Sequence, residues 1–131
     1  MKIELAKTEV IHFVGIGGIG MSGLSLIMKS KGFKVQGSDL NFNKNIERLK
    51  KEKIKVFIGQ KKQNVKNATI VVVSSAIKKS NPEVIEAKRK NLQIISRGKM
   101  LAHIVSLMKN IVVAGSHGKT TTTSLITSIF Q

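Results

Sequence analysis

Two glycine-rich segments, one near each end of this 131-residue chain, restrict its possible folds more than any other feature. The first, Gly15-Ile16-Gly17-Gly18-Ile19-Gly20, follows an apolar run at residues 10–14 and precedes a helical pattern. In this setting Gly15 permits a tight turn, Gly17 lets the backbone approach a diphosphate, and Gly20 lets helix and strand pack closely. The free amides of the helix N-terminus attract the same anion. A nucleotide-binding βα unit is therefore predicted at the start of the chain.

The rest of the chain alternates short apolar runs with helical patterns. Asn81-Pro82-Glu83 is typical of a helix start, because Asn caps, Pro suits the first turn and Glu suits the dipole. Alternation at this period predicts an α/β fold, a Rossmann-like doubly wound parallel sheet with helices on both faces. The predicted strands are residues 10–14, 33–36, 56–58, 68–73, 93–95 and 111–114, and the predicted helices are 20–31, 43–53, 81–91, 100–108 and one after the second glycine segment.

Asp39 follows the second predicted strand, where an acidic side chain can meet a ribose hydroxyl. Together with the first glycine loop, it leaves three classes of protein open. These are an NAD(P)-dependent dehydrogenase, a regulatory domain of a cation channel and a UDP-sugar-binding domain.

The second segment, Gly115-Ser116-His117-Gly118-Lys119-Thr120-Thr121, is a shortened phosphate-binding loop. The usual pattern has four residues between its glycines, whereas two stand here between Gly115 and Gly118. The chemistry is retained, because backbone amides can surround phosphate oxygens and Lys119 can reach the β- and γ-phosphates of ATP. The Thr120 hydroxyl can bind Mg²⁺.

The net charge of +16 raises the possibility of nucleic-acid binding. Twenty of the 23 basic residues are Lys spread over predicted surfaces, and aromatic content is 4%, which gives few platforms for stacked bases. We therefore expect no nucleic-acid partner. The absence of cysteine excludes disulfides and thiolate metal sites, and no apolar run reaches the length of a membrane span. A cytoplasmic protein without a membrane partner is expected, with its oligomeric state left open.

The shortened loop Gly-Ser-His-Gly-Lys-Thr-Thr resembles the ATP loop of the Mur ligases, which build the peptidoglycan stem peptide. Further segments are similar to the branch of that family that joins L-alanine to UDP-N-acetylmuramate. The resemblance extends over nearly the whole chain from Val10 onward. It is carried by residues 11–23, Gly37-Ser38-Asp39, Val73-Ser74-Ser75-Ala76-Ile77, Asn81-Pro82-Glu83, and Arg97 with Met100-Leu101-Ala102.

The resemblance implies a three-domain ligase that transfers the γ-phosphate of ATP to the substrate carboxylate. L-Alanine then attacks the acyl phosphate, and the products are an amide, ADP and phosphate. Residues 1–108 would form the Rossmann-like domain that binds UDP-N-acetylmuramate. Residues 109–131 would begin the central ATP-binding domain with a strand, the loop and a helix. The chain is thus expected to be an amino-terminal piece that binds the UDP-sugar and does not ligate alone.

The resemblance also implies roles for individual residues. The loop Gly15, Ile16, Gly17, Gly18, Ile19 and Gly20 would hold the UDP diphosphate, with Ser38 and Asp39 near the uridine. Ser75, Ala76 and Ile77 would line the nucleotide pocket, and Arg97 would meet an anionic part of the substrate. The ATP phosphates would be wrapped by Gly115, Ser116, His117, Gly118, Lys119, Thr120 and Thr121, with Lys119 catalytic and Thr120 on Mg²⁺.

Two positions depart from the family pattern. Gly59 is followed by Gln60 where the family usually has His, so a substrate contact there is in doubt. Gly98-Lys99 replaces the usual Ala-Glu after Arg97. Two rival functions stay open on the residues: an NAD(H)-binding regulatory or redox module, and a phosphate-loop NTPase that acts on nucleic acid.

Overall fold

The computed structural model describes residues 5–114, with side chains described for residues 5–108. Within that part of the chain five parallel strands form one sheet in the order β3-β2-β1-β4-β5, which confirms the predicted Rossmann-like α/β fold. The strands are β1 Val10–Val14, β2 Lys34–Asp39, β3 Lys55–Ile58, β4 Ile70–Val73 and β5 Gln93–Ser96. The helices are α1 Ile19–Ser30, α2 Lys44–Lys51, α3 Pro82–Arg89 and α4 Arg97–Ala114, with a 3₁₀ helix at Lys62–Val65.

The central strand β1 is buried on both faces, as a strand of a covered parallel sheet must be. Ile11 and Phe13 point to one face and belong to the larger apolar core, which also contains residues of α1 and α4. Val14 points to the other face and joins a smaller core beneath α3 and the 3₁₀ helix. The chain leaves β1 toward β2 and β3 on one side, then returns to place β4 on the other side. Ligands of open parallel sheets bind beside such a reversal of strand order, at the carboxyl ends of the strands.

Asparagine side chains cap the two short helices. Asn43 Oδ1 accepts the backbone N–H of Ile46 at 2.9 Å at the start of α2. Asn81 Oδ1 accepts the N–H of Glu83 at 2.9 Å, and Pro82 occupies the first turn of α3. The helix start predicted at Asn81-Pro82-Glu83 is therefore confirmed.

The predicted strand at residues 111–114 is wrong, because α4 continues through Ala114. A short apolar run is compatible with either a strand or a buried helix, and periodicity alone does not separate them. Between Arg97 and Ala114 the only glycine is Gly98, in the first turn of α4, and there is no proline. The helix therefore continues through the apolar run. The ATP-loop residues 115–121 lie outside the described residues.

Candidate nucleotide-binding site

The first glycine loop lies at the carboxyl end of β1 and opens α1. Gly15 has a φ of +81°, a left-handed conformation that glycine adopts without strain. The backbone N–H groups of Gly15 and Ile16 both donate to the carbonyl of Ser38, each at 2.9 Å. Gly18 is the N-cap of α1 and accepts the N–H of Ser22 at 2.8 Å. Since glycine has no capping side chain, the first amides of α1 face outward with the positive end of the helix dipole.

Both backbone polar groups of Gly17 are hydrogen-bonded. Its N–H donates to Asp39 Oδ2 at 2.8 Å, and its carbonyl accepts from Asn43 Nδ2 at 3.2 Å and Asn45 Nδ2 at 2.9 Å. Asp39 Oδ1 accepts the N–H of Leu40 at 2.8 Å, which fixes the carboxylate further. The acidic residue at the end of β2 and the glycine loop are therefore in direct contact.

Two of the residues assigned to the site from the sequence pack against the loop, Ile77 from the segment after β4 and Arg97 from the start of α4. A Cβ on Gly20 would lie 3.1 Å from Arg97 Nη1, so the guanidinium lies against the bare backbone of the first turn of α1. A Cβ on Gly15 would lie 3.4 Å from Ile77 Cδ1. Arg97 thus adds a full positive charge beside the partial charges of the α1 amides, which is an arrangement suited to a phosphate group.

The other assigned residues occupy different positions. Ser75 and Ala76 are exposed in the turn after β4. Ser38 is fully buried, and its hydroxyl donates to Glu83 Oε1 at 2.6 Å, so it reaches the loop through its carbonyl only. Gln60, the departure from the family pattern, accepts a hydrogen bond of 2.7 Å from Asn81 Nδ2 at the start of α3.

Large apolar side chains surround the loop at the carboxyl edge of the sheet. Ile19, Leu40 and Phe42 are 85%, 62% and 56% exposed. Leu40 and Phe42 follow Asp39 directly, and they were not singled out from the sequence because isolated apolar residues in a loop carry no periodic signal. Exposed apolar surface beside a polar cradle is typical of a ligand site.

Beneath the loop lies a buried polar cluster centred on Glu83, which is fully buried. Four donors converge on its carboxylate: His12 Nε2 at 2.6 Å and the Ser38 hydroxyl at 2.6 Å on Oε1, and the Lys61 N–H at 3.1 Å and Asn64 Nδ2 at 2.7 Å on Oε2. The sequence indicated Glu83 as a first-turn residue of α3 only. His12 is likewise fully buried, packed and hydrogen-bonded.

The hydrogen bonds of the cluster orient the His12 ring. Gln36 Nε2 donates to the carbonyl of Asn64 at 2.9 Å, which orients the amide. The same nitrogen lies 2.9 Å from His12 Nδ1, so Nδ1 accepts and the proton is on Nε2. His12 therefore donates through Nε2 to Glu83 Oε1.

Glu83 is an ionised acid. Burial opposes ionisation and raises its pKa, but the hydrogen bonds from His12, Ser38 and Asn64 together outweigh burial and hold the pKa below its ordinary value of 4.5. The position of Glu83 in the first turn of α3 also favours the negative charge.

Residues 5–108 contain no group of three or more acidic, His or Cys side chains placed to hold a metal ion. Over the described residues, no helix combines the length and apolar character needed to cross a membrane.

Comparison with known proteins identifies the family. Residues 10–109 match the model of the Mur ligase family, catalytic domain. The whole chain is 75% identical to a UDP-N-acetylmuramate–L-alanine ligase of Pelagibacter ubique (strain HTCC1062) and spans 28% of that protein. It is 53% identical to the enzyme of the same name from Rickettsia prowazekii (strain Madrid E), with 98% of this chain and 27% of that protein covered.

Among solved structures, the chain is similar to the UDP-N-acetylmuramate-alanine ligase of Thermotoga maritima. The TM-score is 0.69 at 33% identity, with 77% of this chain and 23% of that chain covered. The chain thus spans between a quarter and a third of the length of the curated relatives that it matches. Because the family model covers most of the chain and the fold agrees, the chain belongs to the Mur ligase family.

Proposed function

We propose that this chain is the amino-terminal, UDP-N-acetylmuramate-binding part of a ligase that joins L-alanine to that sugar nucleotide with ATP. The observation that carries the proposal is the anion cradle formed by the outward amides of α1 and the Arg97 guanidinium against Gly20. The cradle lies beside the reversal of strand order, where parallel sheets bind nucleotides. The names of the relatives supply the identity of the substrate.

The described residues suggest how a UDP-sugar would be held. The diphosphate fits the amides of Ile19 and Gly20 and the Arg97 guanidinium, because these groups supply positive charge and the first turn of α1 contains no acidic residue. The Oδ1 atom of Asp39 retains acceptor capacity for a ribose hydroxyl, while Oδ2 is engaged with Gly17. Leu40 and Phe42 offer apolar surface for the uracil ring. The net charge of +16 favours encounter with an anionic ligand.

The ATP site of the proposed ligase is assigned from the sequence, because residues 115–121 lie outside the described part of the chain. Gly115 to Thr121 would wrap the ATP phosphates, with Lys119 on phosphate charge and Thr120 on Mg²⁺. The bound nucleotide would supply the phosphoryl group that activates the substrate carboxylate. The boundary between the two functional parts is proposed at residues 108 and 109.

Calorimetric titration of the 131-residue chain with UDP-N-acetylmuramate tests the proposal, with UDP and NAD⁺ as comparators at moderate salt. Saturable binding that prefers the muramate nucleotide over both comparators is the expected result. Tighter binding of NAD⁺ would instead indicate a redox or regulatory module. Failure to bind any of the three would contradict the assignment of a UDP-sugar site to this part of the chain.

A further inference from the structure

The buried cluster around Glu83 is connected to the glycine loop through one residue. Ser38 donates its hydroxyl to Glu83 Oε1 at 2.6 Å. The carbonyl of the same residue accepts the N–H groups that begin the loop, those of Gly15 and Ile16, at 2.9 Å each. Ser38 is the penultimate residue of β2, so its carbonyl lies where the regular ladder gives way to the loop.

Glu83 comes from a distant part of the chain and is rigidly held. It is separated from His12 by 71 residues and from Ser38 by 45, and it is fully buried. All four lone-pair directions of its carboxylate meet donors, which leaves the carboxylate a single orientation. In the described residues His12 is the titratable side chain that contacts Glu83, and Gln36 Nε2 lies 2.9 Å from its Nδ1.

We propose that Glu83 is a positioning residue for the glycine loop and acts through Ser38. Its carboxylate holds the Ser38 hydroxyl, and the fixed serine presents its carbonyl to the two loop amides. The loop is thereby preorganised before ligand arrives, which lowers the cost of ordering it on binding. The consequence for affinity rests on the proposed UDP-sugar function, whereas the effect on the loop amides is a property of the free chain.

Amide hydrogen exchange of the ligand-free chain, followed by NMR, tests the proposal directly. Ser38→Ala removes the link and leaves the backbone intact. Exchange at Gly15 and Ile16 should accelerate about tenfold relative to the amides of β4, the factor expected for loss of a hydrogen bond to a charged group. Ser25→Ala is the matched control, because it also deletes a fully buried serine hydroxyl, one that donates to the Ser22 carbonyl within α1. It should leave the ratio between loop and β4 unchanged.

A double-mutant cycle separates positioning from general stabilisation. Glu83→Gln offers one oxygen and two N–H donors to four converging donors, so it should also accelerate exchange at the loop. If Glu83 acts through Ser38, the double variant should exchange at the loop no faster than Glu83→Gln alone. The proposal would be overturned if the two substitutions had additive effects on exchange at the loop, or if exchange accelerated equally at the loop and in β4. If Glu83→Gln does not fold, exchange in Ser38→Ala alone decides the proposal.

Binding provides the second readout. Ser38→Ala should weaken UDP-N-acetylmuramate binding several-fold, and Ser25→Ala should not. Unchanged affinity in Ser38→Ala would refute the claim of preorganisation. Absence of binding by the unmodified chain would count against the proposed function, while the exchange experiment would still decide the role of Glu83.

Discussion

Asp39 Oδ2 accepts a 2.8 Å hydrogen bond from the backbone N–H of Gly17, so the acidic residue of β2 contacts the loop that it serves. This contact leaves no room for a side chain at position 17. A Cβ there would lie 2.7 Å from Asp39 Oδ2 and 3.0 Å from Asn43 Nδ2. The second glycine of the loop is therefore needed for internal packing as well as for approach of a ligand.

Gly17→Ala should weaken UDP-N-acetylmuramate binding by about tenfold or more, since the loop must move away from Asp39 to admit the methyl group. Gly23→Ala is the control, because nothing lies within 4 Å of a Cβ at that position inside α1. It should leave affinity unchanged and raise the free energy of unfolding by about 0.5–1 kcal/mol through helix propensity. Calorimetry and urea unfolding measure the two effects, and similar affinities for both variants would contradict the prediction.

Gly37→Ala should destabilise the fold. A Cβ at this position of β2 would lie 2.6 Å from Ile16 Cβ and 2.7 Å from the carbonyl oxygen of Phe13, and the carbonyl belongs to the central strand. Overpacking of this kind costs about 1–3 kcal/mol in the free energy of unfolding. Urea denaturation should show the loss, whereas Gly98→Ala, with open space around its Cβ, should be neutral or stabilising. Wild-type stability of Gly37→Ala would show that β2 can shift away from β1.

Arg97→Ala should weaken binding of UDP-N-acetylmuramate by about tenfold, the cost of losing a charge-assisted contact to phosphate. Lys99→Ala removes the same charge from the same helix at an exposed position and should change affinity by about twofold or less. Calorimetry at two salt concentrations distinguishes a direct contact from general attraction. Equal losses in both variants would show that only the net charge matters.

The stability of the chain should fall in acid because of Glu83. Its pKa in the folded protein lies below the ordinary value of 4.5, so its ionised form stabilises the fold. That contribution is complete above pH 4.5 and is lost as the pH falls through the lowered pKa of the folded state. Urea unfolding at pH 7 and at several pH values below 4.5 measures the effect.

The variant Glu83→Gln supplies the control for this pH dependence. It should lose part of the acid dependence because its side chain does not titrate. Glu86→Gln offers a comparison at a partly exposed carboxylate paired with the exposed Arg89, where a smaller change is expected. An acid profile of Glu83→Gln identical to that of the unmodified chain would assign the loss of stability to other groups.

Local patterns in the sequence were sufficient for the elements that carry the site. Short stretches of neighbouring residues predicted the glycine loop, its flanking strand and helix, and the capped start of α3 at Asn81. The structure has these elements where they were predicted. The run at residues 111–114 was misassigned because a short apolar segment is compatible with a strand or a helix. Only the strand or helix that it packs against, or continues, distinguishes the two.

Tertiary structure decided which residues meet at the loop. Arg97 reaches Gly20, and Ile77 reaches Gly15, because strand order brings the ends of β1, β4 and β5 to one edge of the sheet. The cluster that joins His12 to Glu83 had no sequence signature, since its members are separated by up to 71 residues and each is an ordinary polar residue alone. The glycine loop follows from local steric and hydrogen-bonding rules, whereas a buried charge is tolerable only where the whole fold assembles its donors.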